Sequence, residues 1–340
     1  IMTNISSITT SIDYEKEGKQ VSYLGVPIST DESAYGTITL PITVTKNGLG
    51  PTILLSGGIH GDEYEGQVAI RKLASKLNPS DVQGRIIFTP SLNLPAALAG
   101  TRCSPMDGLN LNRVFPGEVN GSITMKIAHY ISDVLLPLCD AQLDLHSGGA
   151  TLDFVPFVQM IRMQDKSLHD RSFEAPKICG APISLVTTEL DSTGNIAPVC
   201  ESLGIIYIGS EMGGAGTVSK TNVGYAETAA LNFLRHFGVI DSPIVTPEDQ
   251  GRPASRLMTF EDVSSYVMAP DGGLFEPFFE LGDECKSGQA MGQVHFLEHS
   301  EKDPIVVNAT CDGVILSKRP PGIVKRGDNL SIIAQDLADQ

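Results

Sequence analysis

The chain has 340 residues, 41% of them hydrophobic, and its 40 Asp and Glu outnumber 24 Lys and Arg, giving a formal net charge of −16 and a pI near 4.8. Such a surface repels polyanions, which argues against nucleic acid and anionic membrane as partners. No run of 18 apolar residues and no basic-plus-apolar leader occurs, and the six cysteines are scattered without a Cys-x-x-Cys pair, so a soluble cytoplasmic protein without disulfides is expected.

In chain order, residues 1 to about 45 alternate polar and apolar with Gly25, Pro27 and Gly36 as punctuation, the pattern of leading edge strands. Thr52 to Ser56 (TILLS) predicts a short buried strand, and GGIHGDEYEG follows at 57–66, where Gly57 and Gly58 let the chain turn. Ile70, Leu73, Ala74 and Leu77 then repeat at helical spacing up to Asn78-Pro79. The polar loop GLNLNRVFPG occupies 108–117, with Arg102 just upstream in GTRCSP. A helix is predicted over Ile123 to Leu136, with His129 off its apolar stripe and therefore solvated. Ala141 to Leu145 (AQLDL) reads as a strand ending at His146, and Gly204 to Gly209 (GIIYIG) as one that delivers Glu211 into a Gly-rich turn. A second helix covers Val223 to Phe237 and stops at Gly238.

The polar run 246–255 (TPEDQGRPAS) is a predicted linker, dividing a catalytic domain, 1–245, from a tail, 256–340. The tail loses helical periodicity and carries a weak repeat, 269–294 and 309–334, each with Asp-Gly, a β-rich stretch, a Gly-Asp turn and another strand. This predicts a smaller all-β sandwich or barrel. Its strand pattern is similar to lipoyl carrier domains without the hairpin lysine, so a covering role is expected. His295 and His299 lie there four apart, but without helical context they read as solvated loop residues.

Chemistry concentrates where strands end. His60 and Glu63 are three apart after one predicted strand, and His146 closes another with the same glycine framing. A lone His-x-x-Glu pair is common in solvated loops; two framed segments make a two-His, one-Glu metal site, whose open fourth position admits water. Asp144 shares the strand face of His146 and is a candidate partner for a ligand histidine. Hydrolysis of an amide then needs a base, for which Glu211 is the candidate, though an ordinary loop acid is the other reading of that residue. A carboxylated substrate needs a fork-shaped cation, for which Asn112 with Arg113, and Arg102, are candidates.

GGIHGDE, NLNRVFPG, DLHSGG and the glutamate of GSEMGG, in that order across about 45–240, resemble the succinylglutamate desuccinylase and aspartoacylase family of zinc amidohydrolases, relatives of the zinc carboxypeptidases. The resemblance implies an α/β fold, a zinc-carboxypeptidase-like mixed sheet flanked by helices. It implies one Zn2+ per subunit on His60, Glu63 and His146, Asn112 and Arg113 on the substrate carboxylate, and Glu211 activating water. Arg102, nine residues after Asn93 of NLPA, matches the family's carbonyl-polarising arginine. The stretch between Arg102 and Asn112 is longer than in the aspartoacylase pattern, which puts aspartate specificity in doubt. Layout and length are most similar to the subgroup that includes the N-α-acetyl-L-2,4-diaminobutyrate deacetylases of ectoine breakdown, so the partner expected is a small N-acyl amino acid of that kind, with Asp153 a candidate for its ammonium. Another N-acyl amino acid deacylase, a metallocarboxypeptidase and a non-catalytic binding module are the alternatives, and assembly into a homo-oligomer is compatible with the sequence.

Overall fold

The computed structural model describes residues 6–188 and 193–337. The alternating N-terminal pattern folds as a long antiparallel hairpin, β1 (Gly18–Thr30) with β2 (Ser33–Asn47), at one edge of a large mixed sheet. The chain then contributes β3 (Thr52–Gly57), β4 (Gly84–Thr89), β5 (Ala141–His146), the two-residue β6 (Asp153–Phe154), β7 (Phe157–Ile161), β8 (Ile183–Thr187), β9 (Ile206–Glu211) and β10 (Arg256–Thr259). From the hairpin inward the order is β1-β2-β4-β3-β5-β9-β7-β8-β10, while β6 stands apart and pairs with Ser317–Lys318. Strands β4, β3, β5 and β9 are mutually parallel, and β7 runs against β9.

Helices cover both faces, which is why β3 and β5 are buried along their whole length, the polar face of β5 included. Ile53 and Leu55 of β3 point to one layer, where α1 (Glu65–Lys76) and the helix Lys220–His236 bring Ile70, Leu73, Ala226, Ala230 and Phe233. Leu54 points to the other, among Ile127, Ile131, Leu135 and Ile196. A single helix over 123–136 does not form. The α-helix stops at Tyr130, a wider π turn spans Ile131–Leu135, and a 3-10 turn holds Leu136–Leu138. Pro137 explains the change, because its ring cannot donate a hydrogen bond and clashes with the carbonyl four residues back. His129 is buried rather than solvated: Glu118 N–H bonds the Met125 carbonyl, laying the Pro116-Gly117 turn over that helix, and His129 Nε2 pairs with Asp133 at 3.2 Å.

Beyond residue 255 the chain extends the same sheet before leaving it. β10 pairs parallel with β8 and antiparallel with Asn329–Asp336. Gly273–Pro277, Ala290–His295, Ile305–Asn308 and Ile323–Val324 make a four-stranded sheet, packed through Phe275, Val294, Val307, Leu330 and Ile333. The two sequence repeats thus build a β-sandwich, as their turn spacing predicts. His295 ends a strand of it and pairs with Glu276 at 2.8 Å, and His299 pairs with Glu301; both are partly exposed and they share no partner. Among the described residues no helix is long and apolar enough to cross a membrane.

Candidate metal centre and active-site cavity

In the central sheet Ser56 pairs with Asp144, and His146 lies opposite Glu211. The C-terminal ends of β3, β5 and β9 therefore open on one edge, where crevices of α/β sheets take ligands. The loop after β3 carries His60 and Glu63. It passes so close to α2 (Leu94–Ala99) that a Cβ on Gly61 would fall 1.9 Å from the Ala96 carbonyl carbon, so only glycine fits there.

Glu63 stands between the two histidines. Its Oε1 is 2.6 Å from His60 Nδ1 and its Oε2 is 2.8 Å from His146 Nδ1. The far ring nitrogens have their own acceptors: His60 Nε2–H donates to Asn110 Oδ1 at 3.1 Å and His146 Nε2–H to Asp144 Oδ2 at 2.9 Å. These partners assign the Nε2–H tautomer to both rings, which aims two Nδ1 lone pairs at the two oxygens of one buried carboxylate. Such a facing is repulsive unless a proton or a metal cation lies between the atoms. Their ligand atoms lie within 4.8 Å of one another, and His60, Glu63 and His146 form a group that could hold a metal ion. The donor set of two imidazoles and a carboxylate is one that zinc takes.

Before any metal binds, the same facing makes the titration of Glu63 and the two rings interdependent. Burial opposes the charge of Glu63, yet the two histidines beside it hold its carboxyl far below the usual range. Burial lowers the pKa of His60, whereas at His146 burial is outweighed by Asp144 and Glu63, which raise it well above the usual imidazole value. Asp144 is fully buried and is itself braced, accepting from Ser56 Oγ at 2.8 Å and from the Tyr207 hydroxyl at 3.3 Å. Ser56 accepts in turn from Gln142 Nε2 at 2.8 Å.

Glu211 closes β9 with its Oε2 buried and without a hydrogen-bond partner. Burial, and then the charge of Glu63, push its pKa up to about 8. An acid poised near neutrality with an unengaged oxygen is suited to move a proton. Arg102, half exposed, donates from Nη1 to Glu63 Oε1 at 3.1 Å. Asn112 and Arg113 occupy a 3-10 turn, Leu111–Arg113, on the same rim. Arg113 Nη1 donates to Asn195 Oδ1 at 2.6 Å, and Asn112 Oδ1 accepts from the Ile196 backbone N–H at 3.0 Å.

A cavity of about 380 Å³ joins these groups: His60, Arg102, Asn112, Arg113, His146 and Glu211 all line it. The remaining wall was not singled out from the sequence. Gln159, Thr187, Asn195 and Tyr207 come from the sheet and its loops, and Phe260, Tyr266 and Met268 come from beyond residue 255. Thr187 donates its hydroxyl to the Phe260 carbonyl, and Arg162 grips Glu261 through Nη2 at 2.6 Å, so the C-terminal segment is latched over the sheet. Asn110, the acceptor for His60, was not singled out either, although it sits inside NLNRVFPG; Tyr207 sits in an apolar strand and looks like core. Asp153 does not line the cavity. It pairs with Lys318 across the β6 ladder, which turns it toward the C-terminal strands instead.

Comparison with known proteins gives the same assignment. Residues 49–237 match the succinylglutamate desuccinylase/aspartoacylase catalytic domain. The N-alpha-acetyl-L-2,4-diaminobutyric acid deacetylase of Halomonas elongata is 42% identical over 330 residues, 97% of this chain and 95% of that protein. A crystal structure of a succinylglutamate desuccinylase/aspartoacylase from Rhodobacter sphaeroides superposes with a TM-score of 0.92 at 39% identity, covering 98% of this chain and 100% of the other. The product-bound ectoine utilization protein EutE (DoeB) from Ruegeria pomeroyi gives 0.93 at 36% identity, covering 97% and 99%. The chain belongs to the succinylglutamate desuccinylase/aspartoacylase family and is an amidohydrolase.

Proposed function

We propose that this chain removes the acetyl group of N-α-acetyl-L-2,4-diaminobutyrate, giving acetate and L-2,4-diaminobutyrate, with one zinc ion per subunit on His60, Glu63 and His146. The observation that carries the reaction is the convergence of that donor set with Glu211 and Arg102 in one small cavity. The substrate rests on the deacetylase relative, matched along nearly the whole chain. Bound zinc supplies a Lewis acid for the amide carbonyl and acidifies water.

The residues of the chain do the rest. Glu211 takes the proton of the attacking water on its free Oε2 and returns it to the leaving nitrogen. Arg102 offsets the charge that develops on the carbonyl oxygen. Asn112 and Arg113 hold the α-carboxylate, and Asp144 keeps His146 in its ligand orientation. We take 1–245 as the catalytic domain and 256–340, joined through 246–255, as its cover. Six free cysteines support a place in the reducing cytoplasm.

The test is release of free amine from a panel of N-acetyl and N-succinyl amino acids and blocked dipeptides, with and without chelator. Chelator-sensitive release from N-α-acetyl-diaminobutyrate above all others is expected. Preference for a dipeptide, or no release by a zinc-loaded protein, would overturn the reading.

A further inference from the structure

We infer that Asn195 is a positioning residue that aims the Arg113 guanidinium at the substrate carboxylate; this rests on the assignment of Arg113 as the carboxylate clamp. Arginine on a loop samples many rotamers, and a clamp on an exposed turn discriminates only if its fork is fixed beforehand. Arg113 is exposed, and Asn195 is 4% exposed. The 2.6 Å bond between Arg113 Nη1 and Asn195 Oδ1 anchors the exposed group to a buried one, and a second bond, from Nη1 to the Asn112 carbonyl at 2.7 Å, curls the side chain over its own turn.

The way Asn195 is used singles it out. It stands at the N-cap of the helix Ile196–Ser202, a position where asparagine ordinarily bonds the first helical N–H groups, yet its side chain makes no capping bond. Asn112 performs that job instead, its Oδ1 accepting from Ile196 N–H at 3.0 Å. The two asparagines have exchanged tasks across the cavity rim: Asn112 caps the helix and Asn195 holds the arginine. Backbone contacts reinforce the joint: Phe115 N–H donates to the Gly194 carbonyl at 3.0 Å, and Gly194, at φ +72°, packs so tightly that a Cβ there would lie 2.2 Å from the Arg113 carbonyl oxygen. Residues 194–196 therefore form a fitted cradle for 112–115, and both Asn195 and Arg113 face the cavity.

The experiment measures discrimination between carboxylate and carboxamide within each variant, so that a change in active fraction cancels. Binding of L-2,4-diaminobutyrate and of its α-carboxamide is measured by calorimetry, and kcat/KM for the two N-α-acetyl derivatives in parallel, for wild type, Asn195→Ala, Asn195→Ser, Arg113→Ala and the double variant. The wild type is expected to prefer the carboxylate. Loss of one hydrogen bond to a charged group should cut that preference about tenfold in Asn195→Ala and Asn195→Ser, with the carboxamide unaffected. Arg113→Ala should cut it at least as far, and the double variant no further. An unchanged preference in both Asn195 variants, or effects that multiply in the double variant, overturns the inference, as does a wild type without any preference. A wild type that prefers the carboxylate but releases no acetate removes the proposed substrate and leaves the clamp standing.

Discussion

Replacing Glu211 by Gln is the most direct challenge to the proposed chemistry. The amide is nearly isosteric, and among the described residues none of the three proposed ligand side chains bonds Glu211, so His60, Glu63 and His146 should keep a bound metal. What disappears is the buried, unengaged carboxylate oxygen that Glu211 presents at the cavity. General-base assistance is commonly worth about 10²–10⁴ in rate, roughly 3–5 kcal/mol of barrier. Turnover should fall by that factor while metal content, measured by atomic emission, stays at one per chain. The pH profile gives a second readout. The base must be ionised, so wild-type kcat/KM falls as pH drops through the Glu211 pKa. That pKa stands at about 8 beside the bare carboxylate of Glu63, and a neighbouring cation lowers it. The acid limb therefore lies below 8 in the zinc form, and in Glu211→Gln the part of it owed to Glu211 vanishes. A metal-loaded Gln variant turning over within about tenfold of wild type would refute the reasoning.

Two further outcomes follow from partners outside the cavity. Ser56→Ala removes the donor to Asp144 Oδ1 and leaves Gln142 Nε2 without its acceptor, all in a buried column. Loss of such indirect support commonly weakens metal binding by about 10–100-fold; chelator competition should show this, and an unchanged affinity would mean that Tyr207 and His146 suffice to hold Asp144. Asp107 accepts from Thr124 N–H at 2.8 Å and Thr124 Oγ1 at 2.7 Å, tying the loop that bears Asn112 and Arg113 to the following helix. Partial burial opposes its charge, but these bonds win and lower its pKa. A depressed folded-state pKa gives stability that is present above the unfolded value and lost as pH falls through the folded one. Asp107→Asn should thus lower thermal stability at neutral pH, with the difference from wild type shrinking below the ordinary carboxylate range; a difference independent of pH would rule the charge out as its source.

The legible part of this molecule is the part encoded locally. Strand β3, α1, β5 and the helix Lys220–His236 follow from apolar runs and periodicity that each segment carries by itself, and the glycines beside His60 and His146 mark where strands must end. Those ends meet because parallel neighbours share a direction, so His60, Glu63, His146 and Glu211 gather without any long-range signal in the sequence. Tyr207 and Asn195 were illegible for the opposite reason. Tyr207 looks like a core residue, and its hydroxyl matters only because β9 lies beside β5 and Asp144. Asn195 looks like a helix cap, and its real task appears only when Asn112 arrives from some 80 residues away in sequence. The error at His129 has the same source: helical periodicity says which face a helix buries against its own layer, and nothing about a loop laid over the other side.

The C-terminal strands bear on what the site can accept. Their segment from Phe260 to Met268 reaches the cavity only because β10 joins the sheet beside β8, placing Phe260 next to Thr187 and Glu261 next to Arg162. An extended peptide needs backbone passing on both sides of the scissile bond. Here Phe260, Tyr266 and Met268 contribute to the cavity wall from the C-terminal segment, and Arg113, held on Asn195, contributes to it from the loop before β5. A cavity of about 380 Å³ lies at the small end of the range for ligand sites, the scale of an acylated amino acid. On the proposed reading the C-terminal segment and the 194–196 cradle favour small amides over peptides, a preference that the blocked dipeptides of the amine-release panel test.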